Sequence, residues 1–215
     1  MSKSNKYGYS GVDIPTQAFQ ANVGKFDPAE INELVQEDKW TQYGQLELIE
    51  TQTVSSNVAT LSFDSIKENT YNVHFCTYSN FKSDVDNRHL GLRFKVNGTT
   101  TTGFDYKAAM QRQTASTGAE LPQANDTKIW LAYNTGTGTG ESLSGYFYMY
   151  NAGDSTKYTF LTAHNIGLNR DPNTETHFLS GVRDEIGAVD GIEFKPSGDN
   201  IASLDVSLYG IKEYS

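Results

Sequence analysis

From Gln45 onward, hydrophobic residues recur at every second position. Leu90, Leu92, Phe94 and Val96 alternate with Gly91, Arg93 and Lys95, and Asn97-Gly98 follows at once. Alternation with period two predicts a half-buried strand, and Asn-Gly accepts the positive φ of a type I′ turn, so a hairpin is expected here. Phe104 and Tyr106 would then lie on the returning strand. Tyr71, Val73, Phe75 and Thr77 alternate with Asn72, His74, Cys76 and Tyr78, a phase that sets His74 on a solvent-facing or inter-subunit side. Near the C-terminus, Ile192 and Phe194 precede a Ser197–Asn200 turn and the alternating Leu204, Val206 and Leu208. This pattern predicts two half-buried antiparallel strands, and since a lone hairpin is marginal in water, the last strand must complete a sheet begun far upstream.

Similar signals occur at Leu46/Leu48 with Ile49, Val58–Phe63, Lys128–Tyr133, Gly145–Tyr150, Tyr158–Leu168 and Phe178–Arg183. The total is about ten or eleven strands at spacings of about 8–15 residues, the rhythm of a sandwich or jelly roll. Residues 111–127 (QRQTASTGAELPQANDT) read as a polar loop. No repeat of fixed period shows, which argues against a propeller or solenoid.

Before Gln45 the pattern differs. Residues 1–26 read as an irregular arm that still carries Tyr7, Tyr9, Val12, Ile14, Phe19, Val23 and Phe26. Sticky residues without periodicity suit an arm lying on another surface. A helix is expected from Asp27 to Asp38, with Asp27 as N-cap, Pro28 at the first helical position and Glu30 closing a capping box. Its apolar stripe is Ile31, Leu34 and Val35, with Trp40 just beyond. The expected organisation is an arm and helix over 1–44 and an all-β, jelly-roll-like antiparallel β-sandwich over 45–215.

Composition narrows the function. Only 20% of residues are charged, while there are 19 glycines, 13 tyrosines and 11 phenylalanines, which suits a sheet protein rich in turns. A net charge of −9 with no basic stripe argues against nucleic acid as the main partner. No apolar run is long enough for a membrane-spanning helix. The start MSKSNKYGYSG has no apolar signal-peptide core, so folding in a reducing cytoplasm is expected. The single Cys76 reads as a small buried hydrophobe.

The chemistry-bearing residues assemble no reaction. His74, His89, His164 and His177 lack zinc-ligand spacing, and the TGTGTG tract (135–140) lacks the strand, helix and Lys of a phosphate loop. Asp84 and Asp86 lack the Gly and Glu of an EF-hand, and adjacent Asp184 and Glu185 would point to opposite faces of a strand. No Ser-His-Asp grouping stands out, so neither catalysis nor a cofactor is expected. The run GYFYMY predicts Phe147 and Met149 toward the core and Tyr146, Tyr148 and Tyr150 outward. Three outward tyrosines suit a subunit contact or stacking on sugar rings.

Three stretches, NVGKFDPAEINELVQEDKW, LELIETQTVSSNVATLSFDSIKENTYNVHFCTYSN and GIEFKPSGDNIASLDVSLYGIK, resemble virion structural proteins of marine and cyanobacterial tailed bacteriophages. In that family an aromatic-Asp-Pro helix start serves attachment. A Thr-Val-Ser-Ser turn and an LRF strand (here Leu92-Arg93-Phe94) open a small sandwich, and a hairpin finishing on Leu-Tyr-Gly-Ile ends it. The resemblance implies a non-enzymatic jelly-roll component of tail, fibre or capsid, assembled into the virion in the host cytoplasm. Its expected partners are other virion proteins and further copies of itself, as a homotrimer. The arm and helix (Tyr7, Tyr9, Ile14, Phe19, Phe26, Ile31, Leu34, Val35, Trp40) would attach it to the particle. The alternative is a host-surface glycan-binding module of a phage tail, acting through Tyr146, Tyr148 and Tyr150.

Overall fold

A computed structural model describes residues 28–36 and 45–213 of the chain. The chain divides into two units, residues 1–44 and 45–215. In the first, α1 spans Pro28–Gln36, within the helix expected from Asp27 to Asp38, whose ends lie outside the described residues. Ile31 and Leu34 are half-buried there. Tyr7, Tyr9, Ile14, Phe19, Phe26 and Trp40, with the side chain of Val35, lie outside the described residues.

The second unit runs β1 (Leu46–Val54), β2 (Leu61–Phe63), β3 (Val73–Ser83), β4 (Arg88–Val96), β5 (Thr99–Thr100), β6 (Tyr106–Thr114), β7 (Gly118–Asp126), β8 (Ile129–Thr135), β9 (Leu143–Tyr150), β10 (Phe160–Leu168), β11 (Thr174–Arg183), β12 (Gly191–Pro196) and β13 (Ile201–Ile211). Among the described residues these form two antiparallel sheets. The large one has the order β1-β13-β3-β9-β10-β11-β6-β7, and the small one β2-β12-β4-β5 with β8 also on β4. The sets β1-β13-β3-β9 and β2-β12-β4-β8 interleave as the two halves of a jelly roll, and β10-β11-β6-β7 prolong the large sheet beyond β9. The expected β-sandwich is the observed fold.

The sheets are held by what lies between them. Phe63, Phe81, Leu90, Leu92, Phe94, Phe147, Ile192, Phe194, Leu204 and Leu208 are all fully buried in one core. The ring of Phe194 on the small sheet sits 6.0 Å from Tyr78 and 6.2 Å from Phe147 on the large one. Tyr106 ties the layers with a polar contact, its buried hydroxyl accepting from the Phe94 amide at 2.8 Å.

Four expectations need correction. The closing strands are not a paired hairpin: β12 hydrogen-bonds β2 and β4, whereas β13 crosses to lie between β1 and β3. Alternation shows that a strand has a buried face but not which sheet owns it. The Asn97-Gly98 turn does form, with φ of 51° and 71°, but its returning strand is only Thr99–Thr100. Phe104 is exposed in a loop and Tyr106 belongs to the large sheet. Residues 111–127 are mostly not loop: they supply the end of β6 and all of β7, the edge strand that tolerates Pro122. Finally, His74 faces the core with no exposure, its Nε2 2.8 Å from the Ile66 carbonyl.

Two outcomes follow. Phe147→Ala removes a ring packed between the sheets and should cost about 3–5 kcal/mol in urea unfolding, whereas Phe160→Ala on the exposed surface should cost under about 1 kcal/mol. Burial also depresses the pKa of His74, which the hydrogen bond to Ile66 only partly offsets. The unfolded chain takes up the His74 proton as pH falls past about 6.5, before the folded one does, so this contribution is full above that pH and declines below it. The unfolding midpoint should therefore drop between pH 7 and 5, and His74→Gln, which keeps a donor but does not titrate, should shrink the drop.

Candidate functional site

The outward faces of the two sheets differ in kind. On the small sheet, Arg93, Lys95 and Lys195 alternate with core residues, Arg93 approaches Glu193 at 3.6 Å and Lys95 pairs with Asp64. On the large sheet many outward positions are apolar or aromatic, interspersed with Thr77, Thr162, Asp205 and Ser207. Register sets Leu48 against Tyr209, Tyr209 against Phe75, Phe75 against Tyr148, and Tyr146 against His164, which itself faces Phe178. The result is one band of rings crossing five adjacent strands, from β13 to β11.

Contacts along the band are close. Phe75 lies 4.8 Å from Tyr148, 5.9 Å from Tyr146 and 6.1 Å from Tyr209. Tyr148 stacks on Tyr150 at 6.5 Å, and His164 stacks on Phe178 at 4.1 Å. Around it Leu46, Leu48, Phe160, Ile166 and Phe178 are each about half exposed. Beside Phe178 the surface dips over Ala109 and Ser180 into a shallow hollow of about 600 Å³. Single exposed hydrophobics are ordinary on a soluble protein, but a contiguous aromatic patch rimmed by polar residues marks a contact surface.

Tyr146, Tyr148 and Tyr150 lie on this face, with Phe147 and Met149 wholly in the core. The structure adds Phe75, Tyr209, His164 and Phe178 to them. Their signal was present in the sequence as period-two hydrophobics, but the same pattern is produced by a core-facing strand.

A second polar constellation lies inside. Glu175 and His177 on β11 and Asn165 on β10 are each at most 3% exposed. Asn165 Nδ2 donates to the Leu131 carbonyl at 2.6 Å, and its Oδ1 lies 2.9 Å from His177 Nδ1. His177 Nε2 is 2.9 Å from Glu175 Oε1, close enough for an ion pair but off the line of a hydrogen bond, while Glu175 Oε2 accepts from Asn169 at 3.0 Å. Burial raises the pKa of Glu175, but His177 and Asn169 outweigh it and hold the carboxyl below its ordinary range. Sequence reasoning passed over this line because its members are spaced for strand pairing, not for any motif.

The other candidates are plainly placed. Cys76 is buried, and desolvation pushes its thiol well above the ordinary range, which keeps it from acting as a nucleophile. Asp84 accepts from the Asn200 amide at 2.8 Å and closes a loop. Among the described residues, no three His, Cys, Asp or Glu side chains gather as metal ligands would, and no helix is long and apolar enough to cross a membrane.

The sequence matches no protein-family model and no curated protein. Among solved structures it is similar to the CBM2 module of the evolved Dit of Lactobacillus casei BL23 phage J-1, at 9% identity over 80% of this chain and 83% of that one, with a TM-score of 0.21. The two superpose too loosely for the likeness to bear on fold or function.

Gly145 stands directly across from Asn165, and a Cβ there would come within 2.6 Å of the His164 carbonyl and 2.5 Å of the Asn165 Cβ. Gly145→Ala must therefore push β9 from β10 and should cost about 1–3 kcal/mol of unfolding free energy. An unchanged denaturation midpoint would show that the two strands are not so tightly apposed.

Proposed function

We propose that the chain is a non-enzymatic structural protein of a tailed-phage virion, tail- or fibre-associated or capsid-decorating. Its sandwich meets a neighbouring subunit through the aromatic face of the large sheet. The observation that carries this reading is the band of rings that crosses five adjacent strands of the large sheet. The phage context is supported by the resemblance of the three sequence stretches. In this reading residues 1–44 anchor the protein to the particle, and copies of the chain pack as a homotrimer, so that a weak contact gains strength through avidity.

A second reading places the same rings against a host-surface glycan. Phe75 and the stacked Tyr148 and Tyr150 favour it, since flat rings with hydroxyl tips suit a sugar's apolar face and its polar edge.

Purified particles probed by mass spectrometry and by labelling with an antibody to this chain should contain it. Tyr146→Asp combined with Phe178→Asp should leave the circular dichroism spectrum intact and lower incorporation into particles at least tenfold. Deleting residues 1–40 should also leave a folded sandwich that fails to join. Particles lacking the chain, or full incorporation of the charged variant, would overturn the structural reading. A glycan array, with Tyr148→Ala on any hit, tests the second.

A further inference from the structure

At one end of the sandwich three loops and the strand ends beside them line a polar pocket of about 360 Å³, at the small end of the range for small-molecule sites. It is lined from the β3–β4 loop by Asn87, from the end of β6 by Arg112 and Thr114, from β8 by Asn134, from the β10–β11 loop by Asn169 and Asn173, and from β11 by Glu175. We propose that this pocket binds a neutral sugar, one ring presenting adjacent hydroxyl groups, at a site separate from the aromatic face.

The lining selects the ligand class by elimination. Its charged side chains are Arg112 and Arg170 against Asp171 and Glu175, so they cancel, and neither an anion nor a cation finds a net attraction. Its side chains are almost all polar, which disfavours an apolar guest. What it offers is hydrogen bonding of both senses. The Arg112 guanidinium has no hydrogen-bonded partner among the described residues and sits close enough to Glu175 to lower its pKa. Glu175 Oε1, 2.9 Å from His177 Nε2, and Asn87 Oδ1 are shut off from solvent, so beside Arg112 the pocket offers the side-chain amides of Asn134 and Asn173, which make no hydrogen bond among the described residues. A guanidinium only donates and an amide both donates and accepts, so a ligand hydroxyl that accepts from Arg112 while donating to a neighbouring amide oxygen is favoured. A vicinal diol does this with neighbouring oxygens.

The pocket is also held in place from behind. Glu175, 3% exposed, is fixed by Asn169 and His177, His177 in turn by Asn165, and Asn165 by the Leu131 carbonyl. Such backing lowers the ordering cost of binding.

Amide NMR spectra of the full chain should be recorded with millimolar glucose, galactose, mannose and N-acetylglucosamine, and with glucuronate as the charged control. At least one neutral sugar should give saturable shifts at residues 112–117, 134 and 169–175. Arg112→Ala should weaken that binding about tenfold, as loss of a charged hydrogen bond does, and Asn169→Ala should weaken it as well. Tyr148→Ala, on the aromatic face, should leave it unchanged. No saturable shift with any neutral sugar, shifts confined to residues 73–75 and 146–150, or preference for glucuronate would overturn the proposal. A virion protein without these shifts, or a sugar-binding chain absent from virions, would separate the failure of one reading from that of the other.

Discussion

Insertion of β13 between β1 and β3 is the contact on which the sandwich depends. Its amides and carbonyls are paired on both sides, Tyr209 with Leu48 on one and with Phe75 on the other. Its inward positions deliver Leu204, Val206 and Leu208 to the core. Without it, β1 has no neighbour and β3 loses one edge, leaving open backbone groups and an uncovered small sheet. The partners come from opposite ends of the unit, so the chain meets its loop-closure cost before the last strand is rewarded. A slow, cooperative assembly is the physical consequence.

The large sheet carries a band of rings on its outer face as well as an apolar inner face, and that is unusual for an antiparallel sheet with one face outward. Its inner face is explained by the core it shares with the small sheet. Its outer face has no such explanation within the unit, because the rings from Tyr209 to Phe178 pack against one another, mostly tilted or stacked, and leave Phe178 and Ile166 about half exposed. The small sheet, built from the same chain, sets Arg93, Lys95 and Lys195 outward beside Trp130, over which Lys128 lies. Solubility alone would favour the charged solution on both sides. The asymmetry is what separates a contact surface from a merely sticky one.

That same asymmetry decides what could be read from the residues alone. Strands whose outward face is polar, such as β4 with Arg93 and Lys95, were legible in element and in phase. In β3 and β1 the phase inverts. Val73, Phe75, Leu46 and Leu48 are the hydrophobic set, yet they face outward, while His74 and Cys76 face in. Period-two reasoning assumes a single apolar face, so it put His74 on the wrong side. The hairpin of β6 and β7 was hidden for the opposite reason: near its tip Gln111, Gln113 and Glu120 leave too few hydrophobics to register, and Pro122 reads as a breaker unless the strand is known to lie at an edge. Sheet membership of β12 and β13 was not legible because nothing local distinguishes a hairpin from a crossing between layers.

The buried line from Leu131 through Asn165 and His177 to Glu175 raises a related question of cost. Placing a carboxylate and an imidazole at 3% and 1% exposure is unfavourable unless each finds partners, and replacing such a group by well-packed hydrophobics is often neutral or better. Here the partners are supplied by adjacent strands in register, His177 opposite Asn165 and Gly145 opposite Asn165 on the other side. The glycine gives up side-chain packing to admit the amide. A core built only for stability would fill that space with methyl groups. Keeping it polar as far as the pocket holds the Glu175 carboxylate in one place, which is the support that the proposed sugar site would draw on.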